Sequence, residues 1–375
     1  MRIHHIFSSA AHVHNSNIIR FFQDKCLETG TEWRDHCFAL LSPPKPEALP
    51  LYDELHLESG QLRIAPEKTG DAYRMLRSIS DEDCVVLHAA FFSWRFWLRL
   101  VCKPRLWKRT AWIMWGGDIN NMKHYARHRS LKGMIYLSLA KIVVPRLGAI
   151  SAMAPGDYDI VREVFGAKCD NYIRAFYALP CDVAVAVDHD PSESTGKDPV
   201  RILLGNSGDP DNCHLEAIGW LSRYRDEDIE VVCPLGYGGT QQYREEVIAA
   251  GRRSLGEKFR PVVDMLPSKE YVDLLDTIDI LVFNHRRQQG LFNACYLLTQ
   301  GKKAYMRHDA TTYSMMRDFG IFVNDSCLLP EESFSQFAAP LPAEVNEANA
   351  KRCKERFSPD AAVDGWKQLF ETFKA

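Results

Sequence analysis

The sequence predicts an α/β protein built from two doubly wound domains, each a parallel sheet with helices on both faces. Short apolar, β-favouring runs alternate with helix-like stretches along most of the chain, which is typical of such sheets. A polar, turn-rich segment at 181–199 interrupts this alternation and predicts a linker. The length of 375 residues allows two domains of about 150–200 residues each. We therefore expect domains at 1–180 and 200–357, and a terminal helix at 358–375 that can pack back on the first domain.

In the first half, strands are predicted where runs are short, apolar and rich in β-branched or aromatic residues. They cover residues 3–7, 37–41, 84–89, 110–115 and 149–153. Apolar residues at helical spacing predict the intervening helices. These cover residues 16–28, 72–78, 93–103, 122–144 and 158–165.

The second half repeats the pattern after the linker. Strands are predicted at 200–204, 229–234, 260–266, 280–284 and 303–307. Helices are predicted at 212–225, 241–254, 269–276, 288–300 and 312–319. The tail at 359–374 is predicted as a helix because its apolar residues at 363, 366, 369, 370 and 373 share one side.

Composition excludes several classes of protein. An apolar content of 46% and a charged content of 25% are those of an ordinary globular protein. No signal-peptide pattern follows the start, and no run of about 20 apolar residues predicts a membrane span. The eleven cysteines form no Cys-x-x-Cys pair, which indicates reduced thiols in a cytoplasmic protein.

Charge is concentrated in one segment. Residues 95–146 hold twelve basic residues and one acid, a net charge of +11 within a chain of −3. Aromatic residues and arginines alternate at the start of this segment, at 91–100. This pattern suits an anionic membrane surface. The alternative is a solvated basic face over an aromatic core. No nucleic-acid-binding motif accompanies the charge, so nucleic acid is not expected as a partner.

The most informative stretch is a predicted strand that ends in a turn of small, hydrogen-bonding residues before a helix. The turn consists of Gly205, Asn206, Ser207, Gly208 and Asp209. Such strand ends place backbone amides against ligands. The turn lacks the spacing of dinucleotide-binding and P-loop motifs. The alternative is a tight turn in which Asp209 or Asn212 only caps the following helix.

Two further strand ends in the same half carry ligand-binding residue types. One contains Tyr237 among glycines, and the other contains Arg287 followed by Gln288, Gln289 and Gly290. Arginine and free amides near a helix N-terminus suit a phosphate or a diphosphate. Because the carboxyl ends of parallel strands share one edge, the three turns should converge on one crevice. A nucleotide diphosphate fits that crevice better than a metal ion.

In the first half, Asp118 follows a predicted strand and a glycine turn. It is predicted to be a general base or an anchor for an acceptor, and the alternative is a helix-capping aspartate. His12 and His14 also follow a strand, and His88 lies at the end of another. No matching carboxylate spacing supports a metal site, so these histidines are predicted to line a cleft or to be satisfied in the core.

Several separated motifs together resemble one family. The densest is the 203–209 turn with Asn212 and His214. The others are His14–Asn15 with residues 20–22, Leu87–His88, residues 115–118, 234–237 and 245–247, and 287–290. The chain thus resembles the TDP-N-acetylfucosamine (Fuc4NAc):lipid II transferases of enterobacterial common antigen synthesis.

The resemblance implies a GT-B fold, with two Rossmann-like domains facing a central cleft. It implies a TDP-sugar donor on the second domain, held by residues 205–209, Tyr237, Arg287, Gln288, Gln289 and Gly290. It implies a polyprenyl-diphosphate-linked saccharide acceptor near His14, Asn15, His88, Trp115 and Gly117, with Asp118 catalytic. No metal or other cofactor is needed in such a fold. The expected location is the cytoplasmic face of the bacterial inner membrane, as a peripheral protein.

Two alternatives stay open. Residues 116–118 read Gly-Gly-Asp and residues 291–293 read Leu-Phe-Asn, where the family pattern has Gly-Ala-Asp and a second glycine. A GT-B transferase with a different nucleotide sugar therefore competes with the leading hypothesis. The other alternative is a non-catalytic protein that binds sugar nucleotides and docks on membranes.

Overall fold

The computed structural model describes residues 1–8, 14–41, 52, 55–64, 76–128, 130–166, 171–176 and 199–374. The chain forms two compact units. The first comprises Met1–Ala178 with Pro359–Ala375, and the second comprises Leu179–Ser358. The predicted linker at 181–199 lies outside the described residues except for Pro199. Cysteines within the described residues are free thiols.

The first unit contains a six-stranded parallel sheet in the order β3-β2-β1-β4-β5-β6. The strands are β1 (Ile3–Phe7), β2 (His36–Leu40), β3 (Leu62–Ile64), β4 (Cys84–His88), β5 (Thr110–Ile113) and β6 (Ala149–Ser151). The helices are α1 (His14–Lys25), α2 (Trp94–Val101), α3 (Pro104–Trp107), α4 (Gly117–His128), α5 (Leu131–Val143) and α6 (Pro155–Phe165). Strand β3 was not predicted, because it is short and largely exposed.

The prediction of one helix at 122–144 is wrong. Two helices occupy this stretch, and the first begins earlier, at Gly117. Ser130 separates them, because its side chain accepts a hydrogen bond from the backbone N–H of Gly133 and so caps the second helix.

The second unit contains a six-stranded parallel sheet in the order β12-β11-β10-β7-β8-β9. Its strands are β7 (Val200–Leu204), β8 (Ile229–Pro234), β9 (Phe259–Val262), β10 (Ile280–Phe283), β11 (Lys303–Met306) and β12 (Asn324–Asp325). Its helices are α7 (His214–Leu221), α8 (Gln241–Leu255), α9 (Ser268–Asp276), α10 (Leu291–Thr299), α11 (Thr311–Asp318), α12 (Phe334–Ala338) and α13 (Ala343–Phe357).

Helix α10 begins later than predicted. The sequence placed its start at residue 288, whereas Gly290 has a left-handed φ of 66° and the helix begins at Leu291. The predicted site residues Arg287, Gln288 and Gln289 therefore belong to the loop before the helix. This loop conformation lets their backbone groups point to partners outside a helix.

Each sheet has one position at which its strand order reverses. In the first unit it lies between β1 and β4, and in the second it lies between β7 and β10. Ligands of open parallel sheets bind in the crevice at the carboxyl ends of the strands at such a point. The loops that follow β7 and β10 are the predicted turns at 205–209 and 284–290. The topology thus brings these two turns to the same place.

The terminal helix α14 (Pro359–Thr372) packs within the first unit. Its predicted apolar side is buried, and the indole N–H of Trp366 donates a hydrogen bond to the Phe176 carbonyl at 2.8 Å. Trp366 also contacts Phe22 of α1 edge to face. Helices α1 and α14 therefore cover the same region of the sheet.

Three buried histidines lie under these helices. The rings of His5, His36 and His88 are joined by hydrogen bonds of 2.9 Å. Burial lowers the pKa of His36 and of His88 to about 3, and it lowers the pKa of His5 well below its usual value. The folded protein therefore holds these imidazoles neutral, whereas the unfolded chain protonates them below about pH 6.5.

Stability should consequently fall on acidification. Below about pH 6.5 the unfolded state binds more protons, so each such histidine removes up to about 1.4 kcal/mol of unfolding free energy per pH unit. Urea unfolding at pH 7.5 and 5.5, followed by tryptophan fluorescence, measures this loss. Seven of the eight tryptophans lie in the first unit, so the signal reports mainly on it. His36→Phe should reduce the loss, and His56→Gln, at an exposed position, should not. Equal stability at both pH values would contradict this account.

Candidate functional site

The turn after β7 is built around a glycine that no other residue replaces without strain. Gly205 has a φ of 71°, and a Cβ there would lie 2.6 Å from Asn212 Oδ1 and 2.8 Å from His214 Nε2. The close approach allows Asn212 Oδ1 to accept a hydrogen bond from the Asn206 N–H at 2.9 Å. The turn is thereby fixed from behind by the residues that lead into α7.

The loop after β8 packs against this turn. The Gly208 N–H donates to the Tyr237 carbonyl at 2.7 Å, and Asn206 Nδ2 donates to the Tyr237 hydroxyl at 2.8 Å. A Cβ on Gly239 would overlap the Gly208 carbonyl oxygen. The sequence predicted that these two strand ends converge, and the contacts confirm that they do.

The loop after β10 joins the same turn through an arginine. Arg287 Nη2 lies 2.8 Å from a carboxylate oxygen of Asp209, and its Nε lies 2.6 Å from one of Asp211. The remaining nitrogen, Nη1, lies 3.4 Å from the Gln288 carbonyl oxygen. Arg287 is therefore held by two carboxylates. Asp209 also accepts a hydrogen bond from the Asp211 N–H. It therefore has the capping contact that was the alternative prediction for this residue.

Gly290 closes the site on the side of α10. A Cβ there would lie 2.8 Å from the Phe283 ring and 3.0 Å from Asn206 Cγ. The loop before α10 consequently lies directly against the turn after β7. All ten predicted donor residues thus belong to three loops, of which the turn after β7 contacts the other two, although their assignment to a donor stays a prediction.

Several polar atoms in these loops are buried without a hydrogen-bond partner in the described parts of the chain. They are Asn206 Oδ1, Gln289 Nε2, His285 Nε2 and His214 Nε2. Buried polar atoms are normally paired with protein, water or a ligand. The arrangement can therefore accept hydrogen bonds at Asn206 and donate them from Gln289.

Sequence analysis missed a second polar group beside this site. Arg307, directly after β11, donates to Glu216 Oε2 at 2.8 Å and to Asn284 Oδ1 at 3.1 Å. Asn284 Nδ2 in turn donates to the same Glu216 oxygen at 2.8 Å. Arg307 also pairs with Asp309. The signal was an arginine at the end of a predicted strand, but its partners Glu216 and Asn284 lie 91 and 23 residues away in sequence.

In the first unit, Asp118 is a buried carboxylate with its acceptor positions occupied. Its Oδ2 accepts the Ala90 N–H at 2.9 Å and the Trp112 indole N–H at 2.8 Å, and its Oδ1 accepts the Trp115 N–H at 3.1 Å. Burial raises its pKa despite these donors. The contacts give Asp118 a structural role that joins two strand ends, and its catalytic role stays a prediction.

The predicted acceptor residues fall into two groups. His88, which ends β4, is connected through Ala90 to the segment that holds Trp115, Gly117 and Asp118. Asn15 is buried in α1, where its Nδ2 lies 3.4 Å from the Tyr52 hydroxyl. His14 begins α1, and its side chain lies outside the described residues.

One set of possible metal ligands occurs in the described residues. His308, Asp325 and Cys327 place ligand atoms within 4.8 Å of one another. Asp325 is already bound by His308 Nδ1 at 2.9 Å and by the backbone N–H of Cys327. None of the predicted site residues belongs to this set.

Solved structures of low sequence identity share this fold. Sucrose-phosphate synthase from Thermosynechococcus elongatus aligns with a TM-score of 0.69 and 11% identity over 99% of this chain and 98% of its own. Anabaena HepE in complex with UDP aligns with a TM-score of 0.67 and 10% identity over 100% of both chains. The N-terminal domain of Candida albicans trehalose-6-phosphate phosphatase aligns with a TM-score of 0.66 and 10% identity over 100% of this chain and 96% of its own.

The two parallel sheets and these similarities define a GT-B fold, as predicted. The model of a particular family, described as 4-alpha-L-fucosyltransferase, glycosyl transferase group 56, matches residues 1–319. The chain belongs to this family, which confirms the resemblance seen in its motifs.

Gly290→Ala tests the packing of the three loops. Its methyl group would clash with Phe283 and Asn206, so we expect a lower unfolding free energy, by about 1–3 kcal/mol beyond backbone strain. Gly301→Ala is the matched control, because Gly301 has a similar φ of 73° but a Cβ there meets nothing closer than 3.6 Å. Urea unfolding compares the two variants. An equal loss in both would show that the loops do not press on Gly290.

Proposed function

We propose that the protein transfers a 4-acetamido-4,6-dideoxyhexose of the Fuc4NAc type from a TDP-sugar to a polyprenyl-diphosphate-linked saccharide. The observation that carries the proposal is the convergence of three ligand-type loops at the strand-order reversal of the second unit. A GT-B glycosyltransferase needs a nucleotide-sugar site, and HepE, of the same fold, binds UDP. The assignment of the donor sugar and of the acceptor rests on the motifs shared with the Fuc4NAc transferases.

The donor diphosphate is assigned to the loop before α10. A helix N-terminus carries a partial positive charge and free N–H groups, which favour an anion. Asp209 and Asp211 bind Arg287 through Nη2 and Nε, and Nη1 is the nitrogen not held by a carboxylate. In this proposal the carboxylates orient the guanidinium, and Nη1 contacts the diphosphate. Because two carboxylates already match the arginine charge, Arg287 supplies a directed N–H donor, and the helix N-terminus supplies the charge compensation, without a metal ion.

Nucleotide binding measured by calorimetry tests the donor site. TDP should bind, and Arg287→Ala should weaken binding about tenfold or more because a charge-assisted hydrogen bond to phosphate is lost. Arg201→Ala is the control, since Arg201 also forms an ion pair, with Glu230, but lies at the opposite end of β7. Binding of UDP but not TDP would favour a different nucleotide sugar. No binding of either nucleotide would contradict every transferase assignment.

Turnover separates the transferase from the non-catalytic alternative. A protein that only binds sugar nucleotides would bind TDP but release no TDP from TDP-Fuc4NAc in the presence of a lipid-linked saccharide. The proposed acceptor residues His88, Trp115 and Asp118 share one end of the first sheet, which supports an acceptor there.

The acceptor is lipid-linked, and the first unit has a surface suited to a membrane. Helices α2 and α5 pack together through Trp97 and Tyr136, whose rings lie 5.8 Å apart. We call their outer side the α2/α5 face. Its exposed apolar residues are Leu98, Leu131, Met134, Ile135 and Ile142. Its exposed basic residues are Arg95, Arg99, Lys132 and Lys141.

Exposed aliphatic side chains beside lysines and arginines fit the headgroup region of an anionic bilayer. Among the described residues, no helix has the length and apolar character to cross a membrane. We propose that the protein attaches through the α2/α5 face to the cytoplasmic face of the bacterial inner membrane, the location that the resemblance implies.

Flotation with vesicles tests this attachment. Vesicles rich in anionic phospholipid should bind the protein at low salt, and vesicles of phosphatidylcholine alone should not. Lys132→Glu with Lys141→Glu should abolish binding, because each basic residue contributes about 1 kcal/mol. Arg252→Glu with Arg253→Glu is the control, since it changes the net charge equally on exposed positions of α8. Equal loss in both double variants would show a nonspecific charge effect and remove the α2/α5 face from the proposal.

A further inference from the structure

A chain of buried hydrogen bonds crosses the sheet of the first unit. His36 Nδ1 lies 2.9 Å from His5 Nε2, and His5 Nδ1 lies 2.9 Å from His88 Nε2. In the strand register His36 lies opposite Ile3, and His88 lies opposite Phe7. The chain therefore runs diagonally over three strands, from the amino end of β2 to the carboxyl end of β4.

The two ends of this chain differ. At one end, His36 Nε2 lies 2.8 Å from the hydroxyl of Thr31. At the other end, His88 Nδ1 is buried and has no hydrogen-bond partner in the described parts of the molecule. His88 is only 1% exposed. Among the described residues, this nitrogen is therefore the one unsatisfied position along the hydrogen-bond chain.

The hydroxyls at the first end favour one direction for the bonds of the three histidines. Thr29 donates its single proton to the Cys26 carbonyl oxygen at 2.7 Å, because a carbonyl only accepts. Thr31 lies 3.0 Å from the Thr29 hydroxyl and 3.1 Å from the same carbonyl oxygen. The single Thr31 proton can serve only one of its three contacts, to Thr29, to Cys26 or to His36. If His36 donates an Nε2–H to Thr31, three of the four contacts of these two hydroxyls are hydrogen-bonded, whereas only two are if Thr31 donates to His36. The bond count therefore favours an Nε2–H on His36.

This direction propagates along the chain. Each ring is neutral, since burial lowers the pKa of all three histidines, and a neutral imidazole has one N–H and one lone pair. With Nε2–H on His36, its Nδ1 accepts from His5 Nε2–H. His5 Nδ1 then accepts from His88 Nε2–H. His88 Nδ1 is left as a buried lone pair.

The position of this lone pair points to a ligand. His88 ends β4 beside the strand-order reversal between β1 and β4, where ligands of open parallel sheets bind. The next residue, Ala89, has a φ of 61°, a left-handed conformation that strains an alanine. Ala90 then donates its N–H to Asp118. A strained backbone is thus held in place directly after the histidine.

We propose that Thr31, His36 and His5 hold His88 in its Nε2–H tautomer, so that His88 Nδ1 is a preset acceptor for a hydroxyl group of the saccharide acceptor. His88 is then a binding residue, and the other three are positioning residues. The identity of the ligand rests on the proposed function, whereas the tautomer does not. Reversal of the hydrogen-bond chain would present an N–H instead, to which a hydroxyl could bind only through its oxygen.

Nitrogen NMR of protein labelled with 15N-histidine tests the tautomer directly. His88 Nδ1 should resonate as an unprotonated nitrogen, and His88→Phe should remove that signal. Thr31→Val keeps the volume but removes the hydroxyl, so the His88 signals should shift towards those of mixed tautomers. Thr110→Val is the control, because it removes another buried hydroxyl, bonded to the Leu106 carbonyl, outside the chain. A protonated Nδ1 in the wild type, or no shift in Thr31→Val, would overturn the proposal.

The ligand is tested with TDP-Fuc4NAc and a disaccharide on a short-chain lipid diphosphate. Addition of this acceptor should shift the His88 Nδ1 signal. His88→Phe should raise the acceptor KM about threefold to tenfold with little change in kcat. Thr31→Val should raise it less, and Thr110→Val not at all. Wild-type transfer without a shift at His88 would overturn the acceptor role. Absence of any transfer would refute the proposed function and leave the tautomer result intact.

Discussion

One arginine shared by two carboxylates holds the second unit's site together. Arg287 pairs with Asp209 and Asp211, which lie after β7, while Arg287 itself lies after β10. The pairing crosses the strand-order reversal, so the turn that contains Asn206 and the loop that ends at Gly290 keep a fixed distance. Tyr237 depends on the same constraint because it binds Asn206. The arginine side chain is only 16% exposed, so screening by solvent weakens this cluster less than an exposed pair.

The two units use buried polar groups in different ways. In the second unit, charged groups meet at the strand ends and hold the loops. In the first unit, the carboxylate of Asp118 binds backbone and indole N–H groups, and the histidine chain is neutral. A lone carboxylate tolerates burial when several N–H groups point at it. Neutral imidazoles tolerate burial when their polar atoms are hydrogen-bonded. Among the described residues, His88 Nδ1 is the nitrogen of the three histidines that lacks such a partner.

Much of the architecture was predictable because each strand is a local apolar run. The missed elements lack that signal, since β12 has two residues and α13 buries few side chains along its length. The donor loops were found because glycines and an arginine follow predicted strands. Their partners were not, since Arg287 lies 76 residues from Asp211. The hydrogen bonds among the three histidines could not be predicted either, because they join residues that are distant in sequence and depend on strand register.

Beside each strand-order reversal, the residue directly after a strand has a left-handed conformation, and this residue differs between the two units. Gly205 follows β7 with a φ of 71°, and Ala89 follows β4 with a φ of 61°. Glycine adopts this conformation without strain, and its missing side chain admits Asn212 and His214. Alanine is strained, so surrounding bonds must impose the turn. They do so on both sides, because the Ala89 N–H donates to Ile113 and the Ala90 N–H to Asp118. Asp118 therefore fixes the geometry of the strand end that presents His88, whatever further role its carboxylate has.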